Sequence, residues 1–358
     1  MKKLKILMAM PYSNQNGTER HVLLLSKGLL QLGHEVTVAA PPGPVEGLFR
    51  EAGLGWLELP PIRLGSFLSV MRTLSEAAKT HDLCHFHAAM EFCPGLRLFN
   101  RKIPLVFTAH GYLNELDYLK SGLFLNGTCD ATISISSSER DRLRRGGLSS
   151  KRNHLIFNGI DLAAFGKKES HSLRAELKHD GPLIGTVGML MPTKRMEDFI
   201  EAVGLLRPEW PDLHAVIVGT GPLLPKLVAQ IDRLGLRGKV HLLGLREDVP
   251  AILASLDLFA MPSEREGMSL ACIEAMASGL PVVCTDIPAF SDLIEPEVTG
   301  LRVGRRRPDQ LAEAIHRLLA DSAFRRKLGA NAREKSRAFS SERMVQQTLQ
   351  LYESLIPG

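Results

Sequence analysis

Cysteine is scarce and scattered. Five residues, Cys84, Cys93, Cys129, Cys272 and Cys284, are spread over 358 positions, too few and too dispersed for a disulfide framework or a zinc ligand set. They fit a reducing compartment, each as a small core residue. Aromatic residues are also sparse, at 6% of the chain, and the basic residues are not interleaved with them, which argues against a nucleic-acid surface. Long apolar runs are missing. The run over residues 6–10 stops at Pro11 and turns polar at Asn14, Gln15 and Asn16, too short for a signal-peptide core. No stretch approaches the ~18 apolar residues of a membrane span. The expectation is a cytoplasmic protein able to touch the inner membrane face peripherally. No Asp-x-Asp pair stands where a metal would be needed, and no short repeat indicates a solenoid.

What is present is an ordinary folded composition, 44% hydrophobic and 23% charged, long enough for two domains. The net charge of +5 is uneven. Residues 1–170 hold 21 lysines and arginines against 15 acidic residues, and residues 171–358 hold 23 against 24. A solvated basic surface and a face toward an anionic lipid or glycan both account for that excess.

Short apolar runs alternate with helix-period segments. Strands are expected at 5–10, 35–40, 83–87, 105–108, 131–134 and 154–157, with an amphipathic helix over 18–32. After a turn signal at Asn158, Gly159, Ile160 and Asp161 and a polar stretch over 167–179, the rhythm restarts. Strands are expected at 183–187, 214–218, 240–243, 256–261 and 281–285, and helices at 196–206, 222–234, 249–254 and 269–277. This is the rhythm of an α/β chain with two doubly wound parallel-sheet domains.

Open parallel sheets bind ligands beyond the carboxyl ends of their strands, so the loops after strands carry the chemistry. In the first, Asn16, Gly17, Thr18 and Glu19 precede a helix. Gly17 would let backbone amides approach a phosphate or sugar, or it simply makes a turn. In the second, His110 and Gly111 follow residues 105–108, and a histidine there can donate to a hydroxyl or act as a base. His85 and His87 carry a weaker signal, read as pointing to opposite faces of their strand. In the third, Gly188 opens a loop that reaches Lys194. A lysine at a helix start opposes the helix dipole, which favours a phosphate clamp over a solvated side chain. The fourth runs from Pro262 to Gly279, with seven residues between Glu266 and Glu274. Read as a helix from Gly267, it would set positions 267 and 274 on one line, ~10 Å apart. Phosphates on the amides near Gly267, Met268, Ser269 and Leu270 would leave a hydroxyl-bearing part within reach of Glu274. That carboxylate lies among Cys272, Ile273, Ala275 and Met276 and is costly there unless paired.

These residues resemble the family-4 retaining glycosyltransferases, whose fold is GT-B: two Rossmann-like domains facing across a cleft. The resemblance covers nearly the whole chain. Its most specific part is Glu266 and Glu274 followed by Ala275, Met276, Ala277, Ser278, Gly279, Leu280 and Pro281. Gly17, Thr18 and Glu19, then Gly33, His34, Glu35 and Val36, then His110 and Gly111, then Asn158 to Asp161, and Val298 to Leu301 support it. The resemblance implies that Lys194 binds a donor diphosphate, Glu274 the ribose hydroxyls and Glu266 the donor sugar. Amides of residues 267–270 would hold phosphate and sugar, with Gly188 beside them and His110 and Gly17 facing the same cleft. It further implies an acceptor-binding domain over 1–170, a nucleotide-sugar domain over 171–340, and a last helix within 341–358 returning to the first domain.

Three positions depart from the pattern. Met189 stands where Arg is usual. Ile287, Pro288, Ala289, Phe290, Ser291 and Asp292 replace a Gly-Gly-x-Pro-Glu run, and Asn16 replaces a second glycine. The expectation is a retaining transferase moving a sugar from a UDP-sugar to a cell-envelope glycan or glycolipid, as in lipopolysaccharide or polysaccharide synthesis, with no required metal or cofactor. A sugar-nucleotide epimerase on the same fold and a non-catalytic glycan-assembly partner are the alternatives.

Overall fold

The computed structural model describes residues 3–14, 17–61, 64–111, 115–166 and 173–356. Asn16 lies outside these residues, as does Arg63, the first residue of a basic and apolar stretch over 63–79. The chain divides into two compact units, residues 1–159 with 339–358, and residues 160–338. The sequence reading put the divisions at 170/171 and 340/341.

In the first unit, β1 (Lys5–Ala9), α1 (Gly17–Gln31), β2 (Glu35–Ala40), α2 (Glu46–Glu51) and β3 (Gly55–Glu58) are followed by α3 (Phe67–Ala78), β4 (Leu83–His87) and α4 (Phe92–Phe99). Then come β5 (Leu105–Ala109), α5 (Glu115–Thr128), β6 (Ala131–Ser134), α6 (Ser137–Arg145) and β7 (Asn153–Leu155). The sheet is parallel, in the order β3-β2-β1-β4-β5-β6-β7. Alternation along β1 shows why helices cover both faces. Leu7 and Ala9 enter a core with Met71, Leu74, Phe92 and Leu125, while Ile6 and Met8 enter another with Val22, Leu25 and Leu29.

The second unit contains α7 (Leu173–Leu177), β8 (Leu183–Val187), α8 (Met196–Leu206), β9 (His214–Val218), α9 (Leu224–Arg233), β10 (Val240–Gly244) and α10 (Val249–Ala254). It continues with β11 (Leu258–Met261), α11 (Leu270–Ala277), β12 (Val282–Thr285), β13 (Gly300–Val303), α12 (Pro308–Ala320) and α13 (Ser322–Ser336). Its sheet, also parallel, runs β10-β9-β8-β11-β12-β13. The last helix, α14 (Ser341–Leu355), belongs to the first unit. Val345, Leu349 and Tyr352 sink into the core around α1. A side chain on Gly28 of α1 would collide with Val345.

Two expectations need correction. The strand expected at 154–157 is Asn153–Leu155. The segment from Gly267 is not helical until Leu270. Ser269 is the N-cap, its Oγ accepting from the Cys272 amide at 3.3 Å, so the helical spacing drawn from position 267 does not apply. The stretch over 63–79 reads in the sequence either as core or as an amphipathic basic face; Val70, Met71 and Leu74 are buried, as the core reading has it, while Leu68 stands out at 60% exposure.

Two glycines of α5 give opposite expectations for the same change. A Cβ at Gly122 would lie 2.0 Å from the Gly146 carbonyl oxygen, whereas nothing stands within 4 Å of one at Gly127. Gly122→Ala should therefore destabilise the unit by about 1–3 kcal/mol, because backbone has to move. Gly127→Ala should leave stability unchanged or raise it by up to about 1 kcal/mol through helix propensity. Denaturant melts of the two variants decide this, and equal effects would contradict it.

Candidate functional site

In the second unit the site is built from the carboxyl ends of β8, β9 and β11. After β8, the Gly188 amide donates to the Val218 carbonyl at 2.9 Å and the Leu190 amide to the Thr220 carbonyl at 2.9 Å, so this loop runs alongside the one after β9. The approach is close enough that a Cβ on Gly219, at φ 136°, would stand 2.0 Å from the Gly188 oxygen. Sequence reasoning missed Gly219; two glycines around Thr220 after an apolar strand were the available signal. Met189 is 44% exposed and Leu190 fully buried. The loop then tightens into a single turn, Pro192–Lys194, and Arg195 takes a left-handed conformation (φ 52°) ahead of α8.

Lys194 Nζ donates to Glu266 Oε1 at 2.6 Å, and Ser263 Oγ donates to the same oxygen at 2.7 Å. The Glu264 amide donates to the Thr193 carbonyl at 2.8 Å, a second tie between the loops after β8 and β11. The Glu266 side chain is 8% exposed and that of Lys194 23%. At that burial each charge needs the other. Arg195 is committed elsewhere, to Glu197 at 2.9 Å and Asp198 at 2.7 Å, so Lys194 is the cation this loop presents beside Glu266. Gly188 lies next to the Lys194 stem. Ser263 was not anticipated; its place three residues before Glu266 in a strand-end loop was the only hint.

Gly267 and Met268 lie in the loop, Ser269 caps α11, and Leu270 opens it. The Cys272 amide is taken by the Ser269 cap, while the amides of Leu270 and Ala271 have no carbonyl four residues back to accept them, so they are donors available to an anion. Glu274 is fully buried, on a helix with seven of eight residues buried. The structure thus brings Gly188, Lys194, Ser263 and Glu266 together and puts Glu274 further along α11.

In the first unit, Gly17 is the first residue of α1 and His21 lies one turn on. His110 follows β5, and its Nε2 stands 3.1 Å from Nδ1 of His87, the last residue of β4. His85 and His87 share one face, since residues two apart in a strand project the same way. Their rings are 4.1 Å apart, which corrects the expectation that they diverge. His85 bridges Tyr352 Oη at 2.5 Å and Thr108 Oγ1 at 2.7 Å. His21 packs edge-on to His110 at 4.9 Å and lies 5.4 Å from His87. Burial holds all four imidazoles below their ordinary range, with His21 lowered to about 4 despite Asn158 alongside, and neighbouring rings lower the other three further.

That lowering fixes a pH dependence. Between pH 6.5 and about 4 the unfolded chain protonates His21 while the folded chain does not, so stability is lost as pH falls through this window. His21 alone accounts for about 3 kcal/mol of that loss. Glu139, raised to about 7 by burial, acts in the opposite sense, losing stability as pH rises from 4.5 to 7. Scanning calorimetry from pH 7 to 5 should show the first unit's melting temperature falling with pH, less steeply in His21→Gln. An unaltered slope in that variant would contradict the assignment.

Two family descriptions match complementary parts of the chain: Glycosyltransferase Family 4 over residues 15–164 and Glycosyl transferases group 1 over residues 168–335. An alpha-D-kanosaminyltransferase of Streptomyces kanamyceticus is 29% identical over 321 residues, covering 81% of this chain and 80% of that protein. The lipopolysaccharide core biosynthesis mannosyltransferase LpsB of Rhizobium meliloti is 28% identical over 286 residues, covering 76% and 79%. Among solved structures, Anabaena Alr3699/HepE in complex with UDP-glucose superposes with a TM-score of 0.89 at 22% identity, over 98% of this chain and 100% of that one. With both sheets parallel and Rossmann-like, and with both halves matched, the chain belongs to the family-4 glycosyltransferases of GT-B fold.

Proposed function

We propose that this glycosyltransferase moves a sugar from a UDP-sugar to a glycan or glycolipid of the cell envelope, with retention at the anomeric carbon. The observation that carries the reading is the Lys194, Glu266 and Ser263 cluster, which stands beside the N-terminus of the buried helix that holds Glu274. A diphosphate needs a cation and oriented amides; Lys194 and the amides of residues 267–270 supply them. A ribose needs acceptors for two hydroxyls, which suits a buried carboxylate such as Glu274. Glu266, fixed by Ser263, suits a sugar hydroxyl. Support for the donor comes from Alr3699/HepE, a fold relative solved with UDP, UDP-glucose, and UDP with glucose. Support for the acceptor class comes from the LpsB relative.

In this reading the bond from the anomeric carbon to the diphosphate oxygen breaks as the acceptor oxygen bonds to that carbon on the same face, and the acceptor proton passes to the leaving diphosphate. Lys194 and the helix amides stabilise the charge that develops there, and no resident metal or cofactor is needed. His110 and Gly17 serve the sugar-facing side of the first unit, which receives the acceptor. An epimerase would convert nucleotide-sugar without acceptor, and a non-catalytic partner would show no turnover, so a nucleotide-sugar panel with and without acceptor separates all three.

Three substitutions test the roles together. Lys194→Ala should lower turnover at least ~100-fold at saturating donor, the scale of losing one preorganised charge-stabilising group. Glu274→Gln should weaken UDP binding by about 1.5–3 kcal/mol. Glu266→Gln should depress turnover while leaving UDP affinity nearly intact. Calorimetry with UDP alone and turnover assays on the same proteins check this; equal losses of UDP affinity in both glutamate variants would refute the division of roles.

Among the described residues no helix is long and apolar enough to cross a membrane. The first unit does carry an exposed apolar stripe on α5, Leu116, Leu119 and Leu123, at 58%, 60% and 77% exposure, with Leu98 at 78% near the end of the neighbouring α4. Lys120 is exposed on α5, and Arg101 and Lys102 are exposed in the bend just after α4. Leucines flanked by cations suit an anionic lipid surface, and this stripe replaces the buried 63–79 segment as the membrane-facing reading. The protein should co-sediment with vesicles containing anionic lipid at low salt and be released at high salt. The pair Leu119→Glu and Leu123→Glu should abolish co-sedimentation. Absence of binding at low salt would favour an acceptor free in solution.

A further inference from the structure

The histidines of the first unit form more than the neighbourhood of one sugar-facing residue. His21, His87 and His110 each offer a ring nitrogen, and the three nitrogens lie within 4.8 Å of one another. They come from three elements: the second turn of α1, the last residue of β4 and the first residue past β5. We infer that these three imidazoles form a binding site for one divalent transition-metal ion of the zinc class, separate from the chemistry proposed for Lys194 and Glu266.

The donor set fits such an ion. Neutral imidazole is a preferred ligand of zinc, copper and nickel. Zinc holds nitrogen at ~2.1 Å, which sets tetrahedral ligand nitrogens about 3.4 Å apart. Nδ1 of His87 and Nε2 of His110 already stand at 3.1 Å, and with all three nitrogens within 4.8 Å of one another a small inward movement of His21 completes the set. His21 is 3% exposed, yet neither of its ring nitrogens has a hydrogen-bond partner. Buried polar nitrogens left without partners are costly, and a metal ion satisfies one nitrogen of the ring. His85 differs from the other three. Both its nitrogens are engaged, by Tyr352 and Thr108, so it acts as a support whose ring fixes that of His87 at 4.1 Å. His110 is the only partly exposed member of the three, which gives an ion a route in and leaves its fourth position to water. The lowered proton affinity of the rings keeps them in the neutral form that ligates.

The test reads binding directly, so its failure leaves the glycosyl-transfer reading untouched. Chelator-stripped protein is titrated with Zn2+ by calorimetry and with Co2+ by visible absorption. The site predicts one equivalent per chain, visible bands of nitrogen-ligated Co2+, and at least ~10-fold weaker binding in His21→Gln and in His87→Gln. His214→Gln should leave binding unchanged; His214 belongs to a separate group in the second unit, stacked on His179 and 3.2 Å from His241. The wild-type melting temperature should rise with Zn2+ concentration, a reading that does not depend on how the variants fold. No uptake by the wild type overturns the site, as does undiminished uptake in both His21→Gln and His87→Gln, or loss of uptake in His214→Gln.

Discussion

One ion pair organises the second unit's site. Lys194 and Glu266 are 72 residues apart in sequence, and their 2.6 Å contact ties the loop after β8 to the loop after β11. A parallel sheet makes this possible, since it delivers the carboxyl ends of all its strands to one edge. The backbone completes it: the Glu264 amide bonds to the Thr193 carbonyl, and Gly219 lies too close to the Gly188 carbonyl to carry a side chain. Two opposite charges of low exposure sit side by side in a loop region, an arrangement that contributes little net stability but is costly to break from one side. Such a pair is better understood as holding two functional groups in readiness than as holding the fold.

The first unit reaches order by a different route. Its sheet edge carries neutral rings rather than charges: four imidazoles packed within 4.1–5.4 Å of their neighbours. The surplus of lysine and arginine in this half of the chain lies elsewhere, on surface elements such as the ends of α4 and α6. Burial explains the division. Charged imidazoles this close would repel one another in a poorly hydrated space, so the cluster exists only in its neutral form, whereas arginines keep their charge by staying in water.

Much of the fold was legible because inner strands of a parallel sheet are buried on both faces and read as short, mainly apolar or β-branched runs between helix-period segments. Residues 35–40, 83–87, 131–134, 183–187 and 214–218 are strands with those bounds in the structure. The strands not foreseen, Gly55–Glu58 and Gly300–Val303, are both four-residue edge strands. Each is too short and mixed to read as an apolar run: the first is only partly buried and ends at Glu58, and the second is interrupted by Arg302, whose guanidinium donates to the Ile294 and Phe290 carbonyls. The start of α11 was misread for a related reason. Gly267 and Met268 look like a helix approach, but the cap is Ser269, and a capping serine is visible only once its Oγ is seen to meet the Cys272 amide. At the sites, residue types were readable and partners were not. That Lys194 meets Glu266 depends on which strands neighbour one another, and β8 beside β11 is a topological fact with no local signature. The histidine faces, by contrast, were readable from strand period alone, and His85 with His87 should have been seen as one face.

The chain's last helix links these themes. Tyr352 is fully buried near the end of α14, and its hydroxyl is hydrogen-bonded to His85. A phenol buried this deeply keeps its proton, so it can donate to one ring nitrogen while the other donates to Thr108, which holds His85 neutral and in one orientation. His85 in turn packs on His87, and His87 meets His110. The helix that closes the first unit is therefore also the far end of a chain of contacts leading to His110. Val345 against Gly28 sets how deeply that helix can seat. Substitutions on α14, remote in sequence from every motif, thus bear on the orientation of His110 through two intervening rings, and a backbone glycine on α1 sets the reach of that control.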